Sequence, residues 1–204
     1  MQRIVVGMSG ASGAIYGIRL LEILRGFPGI ETHLVMTKAA ERTLCEETEY
    51  RPADVRALAS CSYPVSDIGA PIASGSFQCM GMIVAPCSVR SLASIAYCQS
   101  DNLLSRAADV TLKERRRLVL LVRETPLHLG HLRAMTAACE AGATIMPPVP
   151  AFYNRPATLR DLVDHTVARS LDALGLEHSL APRWGDGAIT SSPDPRPPSG
   201  PDRS

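Results

Sequence analysis

Arg123 and Glu124 are the residues whose types and position first suggest chemistry. They follow a run of Leu and Val at 118–122 and are followed at once by Thr125 and Pro126. Such an apolar run predicts a buried strand, which Pro126 cannot continue. Both side chains are therefore expected at the carboxyl end of a parallel strand, the edge where α/β sheets bind ligands. An arginine there can hold an anion such as phosphate, and the carboxylate beside it can move a proton.

A glycine-rich turn follows the first predicted strand and reads GMSGASGAIYG from Gly7 to Gly17. Backbone N–H groups in such a turn approach anions, and the N-terminus of the following helix favours them. The spacing differs from G-x-G-x-x-G, and the second strand ends in Thr37-Lys38 rather than in an acid that grips a ribose hydroxyl. This argues against NAD and fits a mononucleotide. The alternative is a tight turn that binds no ligand.

A second turn of this kind follows the third predicted strand, where the chain reads APCSVRS from Ala85 to Ser91. The Ser88 hydroxyl either caps the next helix or, together with Ser91, holds a bound anion. Two such turns after neighbouring strands favour one shared ligand.

Three cations and one tyrosine are further candidates. Arg106 and Lys113 lie two helical turns apart if their helix persists, and Arg123 comes from the next strand. They form a phosphate clamp if they converge and are ordinary surface charges if they do not. Tyr153 follows the proline-rich segment 147–150 and either hydrogen-bonds a ligand or caps the core.

Strand and helix patterns alternate along the chain, which predicts an α/β fold with a doubly wound, mostly parallel sheet in a single domain. The predicted strands are 3–8, 31–36, 80–85 (stopped by Pro86), 118–122 and 143–146, and the predicted helices are 14–25, 38–47, 88–97, 102–108, 128–140 and 159–174. Residues 51–78 are expected to be mainly loop. The domain is placed at 1–185, and the proline-rich segment 186–204 is predicted to be disordered.

Composition excludes several classes of function. Net charge is +1, so neither nucleic acid nor a membrane surface is an expected partner, and a cytoplasmic location is predicted. The six cysteines include no C-x-x-C pair and match no zinc spacing. His128 and His131 lack a third ligand nearby in the sequence. No metal is predicted.

The chain resembles the UbiX family of flavin prenyltransferases from about residue 3 to residue 184. The resemblance is carried, in chain order, by GASG at 10–13, ASGS at 73–76, PCS at 86–88, DNLLSRAADV at 101–110, LKERR at 112–116, RETP at 123–126, PPVPAFY at 147–153 and RWG at 183–185.

This resemblance implies a Rossmann-like, flavodoxin-like FMN-binding fold assembled as a homododecamer of trimers. It implies transfer of a dimethylallyl group from dimethylallyl monophosphate to N5 and C6 of reduced FMN. The product, prenylated FMN, would be passed to a UbiD-type decarboxylase, and no metal would be required.

The resemblance also assigns roles by position. The residues implied to contact FMN are Gly10, Ala11, Ser12, Thr37, Ser88, Val89, Arg90, Ser91 and Arg123. Those implied to bind the prenyl donor are Lys113, Tyr153, Arg169 and Arg106, and the catalytic set is Ser12, Glu124, Lys113, Glu47 and Trp184. Glu124 with Ser12 would relay the proton that leaves C6, and Trp184 would shield an allylic cation. Glu47 and Arg106 come either from the same chain or from a neighbouring subunit.

Three other readings compete with this one. Flavin-dependent cysteine decarboxylases share the fold but require a catalytic histidine, and no histidine occurs between His33 and His128. A decarboxylase of aromatic acids is the second, although ordinary FMN offers a poor electron sink. The third is a non-catalytic flavin-binding subunit, which would have no need of Glu124 or Lys113.

Overall fold

The computed structural model describes residues 1–180. Its strands are β1 Gln2–Met8, β2 Ile30–Met36, β3 Cys61–Tyr63, β4 Gly81–Cys87, β5 Arg117–Val122 and β6 Ala143–Ile145. Its α-helices are α1 Ala14–Arg25, α2 Lys38–Glu47, α3 Pro52–Arg56, α4 Val89–Ala96, α5 Leu103–Lys113, α6 Leu129–Glu140 and α7 Leu159–Leu174, with a short 3-10 helix at Pro71–Ala73.

The strands form one six-stranded sheet in the order β3-β2-β1-β4-β5-β6. Every neighbouring pair is parallel, so the predicted doubly wound sheet is confirmed. The chain winds outward from β1 through β2 and then returns to place β4 on the other side of β1. The direction of winding therefore reverses between β1 and β4, and open α/β sheets bind ligands at the carboxyl ends of such strands.

Helices cover both faces of the sheet. Apolar side chains of α1, α2 and α7 pack with Ile4, Val6 and Met8 on one face. Side chains of α4, α5 and α6 pack with Val5 and the neighbouring strands on the other face. Because strand residues alternate between faces, both clusters draw on the same strands and hold the strand ends in fixed positions.

The structure corrects two expectations about the elements and adds detail to a third. Segment 51–78 is mainly loop, as expected, but it also contains α3, β3 and the 3-10 helix, all too short to give a clear periodic pattern. β4 does not stop before Pro86 but runs to Cys87, and its pairing with β5 shifts register between Val84 and Cys87, where an irregular ladder tolerates the missing N–H group. The helix expected at 102–108 extends to Lys113, because burial of Val110 and Thr111 outweighs the low helix propensity of the segment.

Within the described part of the chain, no helix combines the length and the apolar character needed to cross a bilayer.

Candidate functional site

A cleft with a volume of about 580 Å³ opens at the carboxyl edge of the sheet, beside the ends of β1, β4 and β5. This volume is within the range usual for small-molecule sites. Its walls are Gly10, Ala11, Ser12, Thr37, Lys38, Ala39, Val65, Ser88, Val89, Arg90, Ser91, Ser94, Asn102, Ser105, Arg123 and Glu124. Every residue that the sequence assigned to FMN contact therefore lines one cavity, together with Glu124.

Three helices begin at this cleft. Thr37 caps α2, Ser88 caps α4 and Asn102 caps α5, each by accepting a hydrogen bond from the backbone N–H three residues further on. The three distances are 3.1, 3.3 and 3.1 Å. Since helix N-termini carry partial positive charge, their convergence favours a bound anion in this cleft.

A carboxylate of the protein itself occupies the N-terminus of α1. One oxygen of Glu47 accepts hydrogen bonds from the N–H groups of Gly13 at 2.8 Å and Ala14 at 2.9 Å. Burial raises the pKa of Glu47, but hydrogen bonds from the Ser12 hydroxyl and the two N–H groups, with the charge of Arg123, lower it overall. The Glu47 carboxylate therefore binds the N-terminus of α1 of its own chain, and that helix is not open to an external phosphate in the way the sequence suggested.

Ser9 joins the two turns that form the cleft, although no sequence pattern singles it out. Its buried hydroxyl donates to the carbonyl of Pro86 at 3.0 Å and accepts from the N–H of Ser88 at 2.7 Å. Its own N–H also donates to the Pro86 carbonyl at 3.1 Å. The cap of α4 is therefore held in register with the end of β1.

Gly10 allows the first turn to lie directly against α2. A Cβ atom at this position would lie 2.4 Å from Cβ of Ala39 and 3.0 Å from its carbonyl carbon. Any larger residue would have to push α2 away, and the floor of the cleft would change shape.

Arg123 and Glu124 lie where the sequence places them, immediately after β5. The backbone N–H of Arg123 donates to the carbonyl of Cys87 at 3.0 Å, which fixes it beside the end of β4. The Glu124 carboxylate faces the cleft and accepts from the Thr125 N–H at 2.9 Å. Its second oxygen has no hydrogen bond recorded among the described residues, and the carboxylate can accept a proton at the cleft wall.

A second cleft, of about 640 Å³, adjoins the first and shares Ser12 and Arg123 with it. Its remaining walls come from α1, Tyr50, the proline-rich segment and the start of α7. Most of this surface is apolar, from Ile15, Tyr16, Pro148, Pro150, Leu159, Leu162 and Val163, while Arg19, Glu22 and Arg160 add charged groups. Burial raises the pKa of Tyr16, although the charge of Arg123 opposes that shift, so the phenol stays neutral beside the arginine. A polar cleft and an apolar cleft therefore meet at one cation.

The predicted donor-binding residues do not line either cleft within one chain. Lys113 lies at the far end of α5, about 12 Å along the helix axis from Ser105 at 1.5 Å per residue, and pairs with Glu114. The Arg106 guanidinium donates to Asp109 at 2.8 Å. The sequence could not reveal this separation, because it depends on the full length of α5.

Two more predicted donor residues lie on or beside α7. The Arg169 guanidinium donates to Asp172 at 2.7 Å, and the Tyr153 hydroxyl is 2.9 Å from Nε2 of His165. Trp184 and the predicted disordered segment 186–204 lie outside the described residues.

Sequence reasoning missed Ser9, which lies behind the cleft, and the lining residues Lys38, Ala39, Val65, Ser94, Asn102 and Ser105. Asn102 and Ser105 lay inside a recognised helix start, so its capping pattern was an available signal. Val65 lies in a segment without a periodic pattern, so the sequence around it offers no signal of the cleft.

The chemistry of this cleft suits FMN. Hydroxyl groups, helix N-termini, Lys38 and Arg90 offer donors and positive charge for a phosphate. Val65, Val89 and Ala39 offer apolar surface to a planar ring. Among the described residues, no histidine lines the cleft.

Comparisons with known proteins agree with this geometry. Residues 1–170 match the model of the Flavoprotein family. The chain is 58% identical to flavin prenyltransferase UbiX of Escherichia coli K12 over 90% of its own length and 98% of that protein. It is 52% identical to AnUbiX (PadA1), solved with FMN and dimethylallyl pyrophosphate, with a TM-score of 0.88 over 90% of this chain and 97% of that one. A dodecameric FMN-dependent UbiX-like decarboxylase from Escherichia coli O157:H7 is 52% identical, with a TM-score of 0.87 over 90% and 99% of the two chains.

The rival class is similar only in fold. The cysteine decarboxylase TvaF superposes with a TM-score of 0.62 over 86% of this chain and 98% of that one, but at 14% identity. That likeness says nothing about shared chemistry. The match along nearly the whole chain shows that this protein belongs to the Flavoprotein family and, within it, to the UbiX flavin prenyltransferases.

Proposed function

We propose that this protein transfers the dimethylallyl group of dimethylallyl monophosphate to N5 and C6 of reduced FMN. One observation carries the proposal: all the residues assigned to FMN line one cleft, with the carboxylate of Glu124 in the same wall. A carrier of FMN would need the cleft but would have no use for that carboxylate.

Bond changes define what the residues must do. The carbon–oxygen bond of the donor breaks and its electron pair leaves with phosphate, while N5 bonds to the freed carbon and gives up its proton. A proton then adds to the prenyl double bond, the far carbon of that bond joins C6, and the C6 proton leaves. Positive charge must stabilise the phosphate, water must be excluded, and a base must take the proton.

Arg123 and Ser12 suit the junction between acceptor and donor. Both line the polar cleft and the adjoining cleft, whose mainly apolar surface suits a five-carbon chain. The Ser12 hydroxyl donates a hydrogen bond to Glu47, and this fixes its orientation. The lone pairs of the Ser12 oxygen then remain available to a proton that moves toward Glu124.

Lys113, Arg106, Arg169 and Tyr153 act on the donor phosphate from other subunits in this proposal. Within one chain none of the four lines either cleft, which supports the proposal, as does the dodecameric assembly of the UbiX-like protein from Escherichia coli O157:H7. A trimer-based homo-oligomer would bring the end of one α5 to the cleft of the next chain.

The product would be prenylated FMN, used by a UbiD-type decarboxylase, and the protein would act in the cytoplasm. Cell fractionation followed by an assay for this activity tests the location.

Anaerobic incubation of the purified full chain with reduced FMN and dimethylallyl monophosphate tests the reaction. We expect release of inorganic phosphate and a flavin mass greater by one C5H8 unit. A parallel reaction with the pyrophosphate decides between donors. An unchanged flavin mass with both donors would contradict the proposal, and release of carbon dioxide from an aromatic acid by this protein alone would favour a decarboxylase instead.

A further inference from the structure

A second group of chemically active side chains lies at the opposite edge of the sheet from the cleft. Glu31 and His33 occupy the start of β2 two residues apart, so their side chains share one face. Cys61 opens β3 and is the register partner of His33, which brings it to the same face. Strand pairing therefore assembles three ligand-bearing residues that the cysteine spacing alone does not reveal.

The three ligand atoms are at distances that suit a small metal ion. Nε2 of His33 is 3.4 Å from Oε1 of Glu31, and Sγ of Cys61 is 3.8 Å from the same oxygen. All three atoms lie within 4.8 Å of one another. A tetrahedral zinc ion, 2.0–2.1 Å from nitrogen or oxygen and 2.3 Å from sulfur, sets its ligand atoms about 3.3–3.6 Å apart. Small side-chain rotations bring the group to that geometry.

His33 supplies an independent sign that the group is incomplete. Its side chain is only 3% exposed, and among residues 1–180 Nε2 is one of two buried side-chain polar atoms without a hydrogen-bond partner. Oε1 of Glu31 lies 3.4 Å from Nε2 but is not aligned to accept a hydrogen bond from it. An unpaired buried nitrogen destabilises the fold, so a ligand bound at this position would remove that penalty.

The surroundings prepare His33 as a ligand. Its other nitrogen, Nδ1, lies 2.8 Å from the Tyr63 hydroxyl, and its ring packs edge-on against Phe77 at 4.8 Å. Metal-bound histidines commonly anchor their second nitrogen in this way, which fixes the ring and its tautomer.

Arg3 does not block the site. Its guanidinium donates to Oε2 of Glu31 at 3.0 Å, and this leaves Oε1 turned toward His33 and Cys61. The arginine orients the carboxylate and offsets its second oxygen, as hydrogen-bonded partners of metal-binding carboxylates do.

We propose that Glu31, His33 and Cys61 bind one zinc ion that fastens the edge strand β3 to β2, with water as the fourth ligand. The mixed oxygen, nitrogen and sulfur set suits zinc. Binding converts the Cys61 thiol to a thiolate and releases its proton to solvent. The site is structural and lies apart from the prenyl-transfer cleft, so it holds whether or not the proposed activity is correct.

Metal titration of the full chain tests this proposal. After dialysis against a chelator, we expect the protein to take one zinc ion per chain from a chromogenic indicator. Cys61→Ser and His33→Gln should lower zinc affinity at least tenfold. Cys79→Ser is the matched control, since Cys79 is partly buried like Cys61 but lies outside the group. Cobalt should give a thiolate charge-transfer band that Cys61→Ser abolishes and Cys79→Ser retains.

Two outcomes would overturn the proposal: no zinc uptake at stoichiometric metal, or a cobalt band that survives Cys61→Ser. Circular dichroism of each metal-free variant separates ligand loss from unfolding. If Cys61→Ser does not fold, Tyr63→Phe replaces it, because loss of an anchoring partner costs about 10–100-fold in metal affinity while all three ligands stay in place.

Discussion

Single side chains determine how the cleft is held, and Ser9 is the clearest case. Its hydroxyl satisfies the Ser88 N–H at 2.7 Å, and no other acceptor for that N–H is recorded among the described residues. Ser9→Ala should therefore leave a donor unpaired and destabilise the protein by about 1–3 kcal/mol. A thermal melt and an FMN titration check this, and both stability and affinity should fall.

Ser170→Ala is the matched control for Ser9→Ala. Ser170 is equally buried, but its hydroxyl donates only to the carbonyl of Val167 in its own helix. A comparable loss of stability in both variants would show that Ser9 has no special part in joining the two turns.

Glu124 separates chemistry from binding at the level of one residue. Glu124→Gln keeps the shape of the side chain and removes its basicity, so turnover should fall about 10²–10⁴-fold, the usual contribution of a general base. FMN affinity should stay near that of the wild type. Flavin mass spectra recorded over time measure turnover, and fluorescence titration measures FMN affinity. Glu140→Gln, at an exposed position, is the control. Equal loss of both properties would remove Glu124 from the proton path.

Glu47 gives a pH-dependent signature. Its pKa is lowered in the folded protein, so the stability it contributes is present at neutral pH, above the unfolded pKa of about 4.3, and is lost as the pH falls through the folded pKa. Glu47→Gln should lower the melting temperature at pH 7. The expected loss in the free energy of unfolding is about 0.3–1 kcal/mol, the usual contribution of a carboxylate at a helix N-terminus. The difference from wild type should disappear as the pH falls from about 5 to 3.

Glu46→Gln serves as the comparison for Glu47→Gln. Glu46 is the neighbouring residue on α2 but pairs with Arg42 in an exposed position. A pH-independent effect of Glu47→Gln, or one equal to that of Glu46→Gln, would contradict the assigned role.

At the level of elements, the approach of α2 to the first turn sets the floor of the cleft. Gly10→Ala would place a methyl group 2.4 Å from Cβ of Ala39, and such overpacking costs about 1–3 kcal/mol. We expect weaker FMN binding, because α2 and its cap at Thr37 must move. Gly69→Ala is the control, since its nearest neighbouring atom is 3.7 Å away. Unchanged FMN affinity in Gly10→Ala would show that the floor adapts freely.

Sequence patterns predicted most of the long elements well and the short ones poorly, and α5 is the exception among the long helices. The limits of α1, α2 and α7 were correct, because each presents an apolar face over at least ten residues with recognisable ends. β3 has three residues and gave no periodic signal, yet its pairing creates the Glu31–His33–Cys61 group. The cleft was predictable from turns and strand ends, whereas the remote positions of Lys113 and Arg169 follow from helix length and direction.

At the level of the whole molecule, the proposal divides each site between chains, and mixed oligomers test this. Lys113→Ala and Glu124→Gln subunits should each be inactive alone. If the two residues act from different chains, random mixing restores about a quarter of the sites, because each of the two positions is intact half of the time. If both act from one chain, every mixed site keeps a defect and no activity returns. Phosphate release after co-expression of two differently tagged subunits measures the outcome.

The span of the cleft along the chain has a consequence for how the protein is made. Its lining runs from Gly10 to Glu124, and the hydrogen bond between Ser88 and Ser9 joins residues 79 positions apart. A nascent chain on the ribosome cannot form this cleft until β5 and the residues after it have emerged, since every wall depends on contacts that are distant in sequence. FMN therefore cannot bind while only the first strands have been made. A chain that binds FMN already has β1, β4 and β5 paired in the sheet.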